Sequence, residues 1–327
     1  MRIVITGGAG FIGKKLALAL LGRGTLMAGD GTVQSLSEIT LFDVVEAEGL
    51  LHDPRLSIRR GDITDPAQVR DLIAGAGGVF HLAAVVSADA EQNFDLGMQV
   101  NLDGTRHVLE ACRALETRPK LVFASSVAVF GGDMPDVLTD DTILTPQTSY
   151  GTQKAAGELL VNDYSRKGFT DGRALRLPTI VVRPGKPNLA ASTFASSIVR
   201  EPLVGEAAVC PVERSAEMYI LSPRRIIEAL IHAFDLPEDA FGMVRMLTLP
   251  GITVSIGEMV DALSEVTGEE VASRIQWRPD ARIQKIVAGW PRRCDARRAR
   301  ALGFAADADV RDIIRVHIDD ELGGRVR

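Results

Sequence analysis

Tyr150 and Lys154 stand four residues apart in the run Tyr150-Gly151-Thr152-Gln153-Lys154. On a helix that spacing puts a phenol and an ammonium on one face, separated by about 6 Å of rise. Tyrosine has a reference pKa near 10, so about one in a thousand is ionised at neutral pH, and bringing that pKa to about 7 takes about 4 kcal/mol. A neighbouring positive charge contributes by favouring the phenolate. Tyr-x-x-x-Lys pairs also occur on solvated helix faces, and Ser126 is what changes the reading. It ends the strand-like run Phe123-Ala124-Ser125-Ser126, continued by Val127-Ala128-Val129-Phe130-Gly131, and so delivers a hydroxyl to the same sheet edge. A phenolate held ready by an ammonium, with a hydroxyl beside it, is equipped to take a proton from an alcohol.

Those residues need a sheet and a helix to hold them. Short apolar runs alternate with amphipathic stretches through the first half of the chain: Ile3 to Ile5, Phe11 to Leu21, Ile39 to Phe42, Leu56 to Arg60, Val69 to Ala74 and Val79 to Leu82. The alternation continues with a helix over Gln99 to Leu115, a strand at Leu121 to Ala124, a helix from Tyr150 to Ser165 and a strand over Ala174 to Val182. Parallel strands buried on both faces read as continuous apolar runs, and right-handed crossovers then put helices on both sides of the sheet. The expected fold class is α/β, a doubly wound parallel Rossmann-type sheet with a smaller C-terminal α/β substrate lobe. After Pro184 the pattern loosens, with Pro187, Pro202, Pro211, Pro223, Pro237 and Pro250 separating short segments that include helix-like Arg224 to Phe234 and Ile256 to Val266. Residues 1–183 are expected to form the cofactor domain carrying the catalytic groups, and 184–327 mainly a substrate-binding lobe interleaved with it.

The first strand runs straight into Thr6-Gly7-Gly8-Ala9-Gly10-Phe11-Ile12-Gly13. Gly7, Gly10 and Gly13 fit Gly-x-x-Gly-x-x-Gly, and Gly8, Gly10 and Gly13 also fit Gly-x-Gly-x-x-Gly. Glycine permits the tight turn and the close approach of backbone to a pyrophosphate, while Phe11 and Ile12 open a helix whose free N–H groups favour an anion. An acidic residue about 20 positions on would hold the adenosine ribose. Asp30 has that spacing but lies in a Gly-Asp-Gly turn; Asp43 ends the strand Ile39 to Phe42 and is the choice, with residues 24–37 an inserted loop. A carboxylate there accepts from ribose hydroxyls and repels a 2′-phosphate, which favours NAD over NADP. Two further stretches fall at strand ends, Gly61-Asp62-Ile63 and His81-Leu82-Ala83-Ala84. Asp62 is placed to accept from the adenine amino group, beside Ile63, and Leu82, Ala83 and Ala84 to line the dinucleotide path. His81 reads as a packed strand-end histidine.

Composition excludes other classes. Lys and Arg total 37 against 43 Asp and Glu, a formal charge of −6, and without a long basic run no nucleic-acid partner is expected. The basic stretch Arg292 to Arg300 reads as a solvated helix face. Cys112, Cys210 and Cys294 lack Cys-x-x-Cys spacing, and His52, His81, His107, His232 and His317 lack ligand spacing, so no metal is expected. No signal-peptide layout and no membrane-length apolar run is present, which points to the cytoplasm.

The glycine loop at 7–13, Asp62 in Gly-Asp-Ile, the 81–84 stretch, Asn101, Ser126, Tyr150 and Lys154 together resemble the extended short-chain dehydrogenase/reductase family, the NAD-dependent epimerases and dehydratases, over nearly the whole chain. The resemblance implies Tyr150 as acid/base, Lys154 holding the nicotinamide ribose and tuning Tyr150, Ser126 orienting the reacting hydroxyl, and Asn101 as a water-holding residue near cofactor and catalytic groups. Pro178 and Thr179 would touch the nicotinamide amide. Where the family often has Tyr-Gly after its serine, this chain has Phe130-Gly131, which removes one hydroxyl from a sugar ligand. The segments Phe94 to Met98, Thr148 to Lys154 and Arg183 to Asn188 look closest to the D-erythronate dehydrogenase branch, which oxidises a small four-carbon sugar acid at C2. That implies hydride transfer from C2 to NAD and a 2-keto acid product. A sugar acid needs a carboxylate anchor, with Arg183, Lys186 and Asn188 the candidates and Ser87, Ser192 and Thr193 as hydroxyl partners. The alternatives are a nucleotide-sugar epimerase or dehydratase retaining NAD, and a non-catalytic NAD-binding regulator. Family members pair through helices corresponding to 99–115 and 150–165, so a homodimer is expected.

Overall fold

Strand β1 (Arg2–Thr6) buries Ile3, Val4 and Ile5 completely, as a strand covered on both faces requires. In the computed structural model, which describes residues 1–50, 52–185 and 192–327, β1 lies inside a seven-stranded sheet. The others are β2 (Glu38–Asp43), β3 (Leu56–Arg60), β4 (Gly78–His81), β5 (Lys120–Ser126), β6 (Asp171–Leu177) and β7 (Met246–Thr248). Their order is β7-β6-β5-β4-β1-β2-β3, and the ladders β1:β2, β1:β4, β2:β3 and β4:β5 are parallel. The chain thus builds outward from β1 to β3 and then returns to the other side of β1 with β4. Ligands of such sheets gather beyond the C-terminal strand ends at that reversal. Register sets Thr6 level with both Phe42 and His81, and His81 level with Phe123, so four strand ends open onto one edge.

Helices α1 (Phe11–Arg23), α2 (Pro66–Ile73), α3 (Gly104–Arg113) and α4 (Ser149–Arg166) supply the crossovers. Asp65 caps α2 by accepting from Ala67 and Gln68 N–H, and Pro66 occupies the first helical position, where its missing N–H is harmless. Val69, Leu72 and Ile73 of α2 pack with Val108, Leu109 and Cys112 of α3 in a core that also holds Val4, Val79 and Leu121. Helix α4 comes down closely onto β5, because a Cβ at Gly157 would lie 2.8 Å from the Phe123 ring. Beneath it Glu158 pairs with Arg176 at 2.9 Å and accepts from Ser125 Oγ at 2.5 Å, all three buried.

The chain divides into two units, one of Met1–Val129, Thr148–Arg176 and Ile227–Leu247, the other of Phe130–Gln147, Leu177–Ile226 and Thr248–Arg327. The second has its own core, with Val199, Met259, Leu263, Ile313 and Ile314 buried together, and a three-stranded sheet in which Glu217–Leu221 lies between Thr179–Ile180 and Ile252–Ser255. No helix among the described residues is long and apolar enough to cross a membrane.

Four local expectations are corrected. Residues 24–37 are not a plain loop: Thr25–Met27 and Val33–Ser35 form an antiparallel hairpin around Asp30, which accepts from Thr32. The strand read over Ala174 to Val182 is two strands in two sheets, split at Pro178, whose missing N–H cannot continue a ladder. The helix read over Gln99 to Leu115 begins with a wide π-turn at Met98–Asp103 before α3. Of Arg292 to Arg300, only the part from Arg297 onward is helical.

Candidate active site

The glycine loop leaves β1 with Gly7 at φ +69°, and Gly10 N–H donates to Gly7 O at 3.1 Å. A side chain at Gly7 would strike the backbone of Leu82 and Ala83 within 2.9 Å, and one at Gly13 would meet Gly7 O at 2.5 Å. The loop is therefore drawn tight against the 82–83 backbone. Gly10 caps α1 with no side-chain acceptor, and the first turn carries no acidic residue, so the N–H groups of the turn that Phe11 and Ile12 open are not capped from within the helix. This cradle fits a dinucleotide pyrophosphate. At the end of β2, Asp43 Oδ2 accepts from Ala9 N–H at 3.0 Å, which sets its carboxylate beside the loop, while Asp30 stays in its hairpin turn.

At the end of β5, side chains alternate: Ser125 turns into the core toward Glu158, and Ser126 is half-buried on the opposite side. Ser126 Oγ accepts from Ala128 N–H at 3.1 Å, which leaves its own hydrogen available to donate. Helix α4 starts at the Thr148 cap, whose hydroxyl accepts from Gly151 N–H at 3.0 Å. That start sets Tyr150 in its first turn, half-buried, and Lys154 one turn deeper at 2% exposed. Lys154 Nζ donates to Ala124 O at 2.8 Å and stands 5.7 Å from the Tyr150 ring centroid and 4.6 Å from that of Phe123. Burial pulls the Lys154 ammonium down to about 7, with Glu158 acting in the opposite direction.

Residues 3–239 match the NAD dependent epimerase/dehydratase family. This chain belongs to that family. It is 52% identical to the D-erythronate dehydrogenase of Cupriavidus necator, with 98% of each chain covered. It is 43% identical to the D-erythronate dehydrogenase of Haemophilus influenzae, over 98% of this chain and 100% of that one. A solved structure described as the nucleoside-diphosphate-sugar epimerase from Agrobacterium tumefaciens superposes with a TM-score of 0.94 at 43% identity, covering 100% of this chain and 96% of that one.

As an NAD dependent epimerase/dehydratase, the chain takes NAD as its cofactor. The remaining sequence candidates fall into two sets. In the first unit, Leu82, Ala83, Ala84 and Ser87 are half-buried after β4, Asp62 is exposed in a turn where it accepts from Thr64 N–H at 2.9 Å, and the Ile63 side chain is buried in the core. Asn101 is 1% exposed in the π-turn. In the second unit, Pro178 precedes the short strand that contains Thr179, and Arg183 Nη2 donates to Ser192 Oγ at 2.6 Å just before Thr193 opens the helix Thr193–Leu203. Lys186 and Asn188 lie outside the described residues.

His81 is fully buried between Thr6 Oγ1 at 2.7 Å and Thr105 Oγ1 at 3.0 Å. Thr105 gives its only hydrogen to Asn101 O at 2.6 Å, so His81 must donate from Nε2 and accept at Nδ1. Burial first and Lys154 second push its pKa down to about 3, so the ring is neutral, a packing group and not a base. Sequence reading missed Gln153, also 1% exposed, whose Oε1 accepts from Asn101 Nδ2 at 2.7 Å. Nothing in the periodicity marks it, because its partner is 52 residues away.

Proposed function

We propose that this chain is an NAD-dependent dehydrogenase that oxidises C2 of D-erythronate to the 2-keto acid. The observation that carries the reaction type is the buried Lys154 ammonium facing Tyr150 at 5.7 Å from its ring centroid. The substrate is supported by the near-full-length identity of 52% and 43% to two proteins named D-erythronate dehydrogenase. Tyr150 takes the C2 hydroxyl proton at its phenolic oxygen; Ser126 Oγ donates to the same substrate oxygen. Lys154 holds the phenolate by its charge, and one of its three N–H donors anchors it to Ala124 O. NAD, when bound, supplies the hydride acceptor. Gly7, Gly10 and the first turn of α1 hold its pyrophosphate, Asp43 its adenosine ribose, Asp62 its adenine, and Leu82 to Ala84 the path toward nicotinamide. The working form is proposed as a cytoplasmic homodimer, for which Leu159, 61% exposed on α4, offers apolar contact area.

The test is NADH formation by absorbance with D-erythronate, with UDP-glucose and UDP-galactose as epimerisation controls. Steady NADH production on the acid and no sugar interconversion is expected. Silence on the acid with UDP-sugar interconversion would move the chain to the epimerases, a reading favoured by the description of the Agrobacterium structure. Against that reading stands Phe130, buried and without the hydroxyl a sugar ligand would use. Binding of NADH without turnover on either would leave a regulator.

Asp43 gives a second prediction. Removing its charge in Asp43→Ala should shrink the NAD-over-NADP preference in kcat/KM about 100-fold, the scale of one carboxylate facing a 2′-phosphate at an effective dielectric near 20. An unchanged preference would take Asp43 out of the ribose site.

A further inference from the structure

We infer that Gln153 is a positioning residue which, through Asn101, fixes the backbone of Val85 between the 82–84 stretch and Ser87. The π-turn at Met98–Asp103 is where Asn101 sits, and such one-residue widenings re-aim a side chain inside a helix. The Asn101 carboxamide takes both polar groups of Val85: Oδ1 accepts from Val85 N–H at 2.8 Å, and Nδ2 donates to Val85 O at 3.0 Å. That pair of bonds dictates which way the Asn101 amide faces. Its second Nδ2 hydrogen then points at Gln153 Oε1, 2.7 Å away. Both donors of Asn101 are therefore committed to protein groups, and a relay water would find no donor in it.

The orientation of Gln153 follows by the same logic. Turned over, it would set one amide nitrogen against another, so Oε1 must face Asn101, and Nε2 is left buried with no acceptor among the described residues. Gly97 closes the pocket on that side, since a Cβ there would lie 2.7 Å from Gln153 Nε2. An unsatisfied buried donor is unfavourable. The fold tolerates one at the residue next to Lys154 and keeps the acceptor that Asn101 needs. The same π-turn meets the His81 chain, through Thr105 to Asn101 O, so the catalytic helix, the end of β4 and the glycine-loop residue Thr6 are joined by one run of buried hydrogen bonds.

The effect on cofactor rests on the proposal that residues 82–84 line the NAD path; the clamp itself does not. The experiment is amide hydrogen exchange at Val85 in Gln153→Met, read beside the kinetics. Exchange at Val85 is expected to speed at least about tenfold, the scale of one lost buried hydrogen bond, with α4 amides beyond Gly157 unchanged. KM for NAD should rise about tenfold with kcat within about twofold and its pH profile unmoved, a split that simple loss of folded protein would not give. Gln153→Glu, which keeps the acceptor, should bring Val85 exchange most of the way back. If Gln153→Met does not fold, Gln153→Ala carries the same test. Unaltered Val85 exchange overturns the clamp, as does a shifted kcat pH profile with Val85 still protected, which would make Asn101 and Gln153 part of a proton relay. A faster Val85 amide together with wild-type protein that binds no NADH would uphold the clamp and overturn the NAD-path reading.

Discussion

Tyr150→Phe should lose about 10³-fold or more in kcat on D-erythronate while binding NADH within about threefold of the wild-type protein, since general acid–base groups contribute about 10²–10⁴-fold. The substitution removes one oxygen and nothing else. Tyr150 is only half-buried at the start of α4, and the helix start is secured by the Thr148 cap and by the deeper residues Gly151, Lys154 and Gly157, so the backbone has no reason to move. Ser126 and Lys154 survive in the variant, yet neither can replace the phenol. The Ser126 hydroxyl accepts from Ala128 N–H and is itself no acid/base near neutral pH, and Lys154 lies one helical turn below with one donor tied to Ala124 O. Steady-state rates and NADH fluorescence titration on the same preparations separate the two quantities. Turnover above a tenth of wild type would remove Tyr150 from the acid/base role; lost NADH binding would instead make its contribution one of cofactor packing.

How much of this could be read from residue order depends on the range of the interaction that fixes each feature. β1 and the glycine turn are local, an unbroken apolar run followed by a Gly7 that adopts φ +69°, whereas the close approach of Gly7 to the backbone of Leu82 and Ala83 comes from a strand far along the chain and could not be read from the loop itself. That Asp43 ends its strand beside the glycine loop, while Asp30 lies in a hairpin turn, follows the strand pattern and not residue counting, because the hairpin interrupts the spacing. Pro178 was a visible signal that a continuous strand over Ala174 to Val182 overrode, although a proline inside a strand run argues for a break. The π-turn was not legible. Widening a helix by one residue changes which side chains face inward without changing the composition of the segment, and Asn101 has its place only because Val85 and Gln153 come to it from distant parts of the chain. The pairing of Glu158 with Arg176 was silent for the same reason.

Lys154→Met should abolish most turnover and at the same time raise the melting temperature of the cofactor-free protein. The side chain is 2% exposed, and burial brings its ammonium down from 10.5 to about 7. The unfolded chain keeps that proton up to about 10.5 and the folded chain releases it above about 7, so between those values the unfolded state binds more protons and stability rises with pH. Below about 7 both states are charged and the full penalty of burying the charge is present. A shift of this size corresponds to something on the order of 4–5 kcal/mol. Against it stands the charged hydrogen bond to Ala124 O at 2.8 Å, a kind of bond worth about 1.5–3 kcal/mol. Methionine keeps the length of the chain and removes the charge, for a net gain of about 2 kcal/mol and about 3–6 °C. Thermal unfolding near pH 6 should display the gain in full and near pH 9 a smaller one. A variant less stable than wild type at both pH values would mean that the ammonium holds the fold together, and its burial would then need no catalytic explanation. The expected pattern has the opposite meaning: a charge that weakens the fold, one turn beneath the phenol, is there because the phenolate needs it.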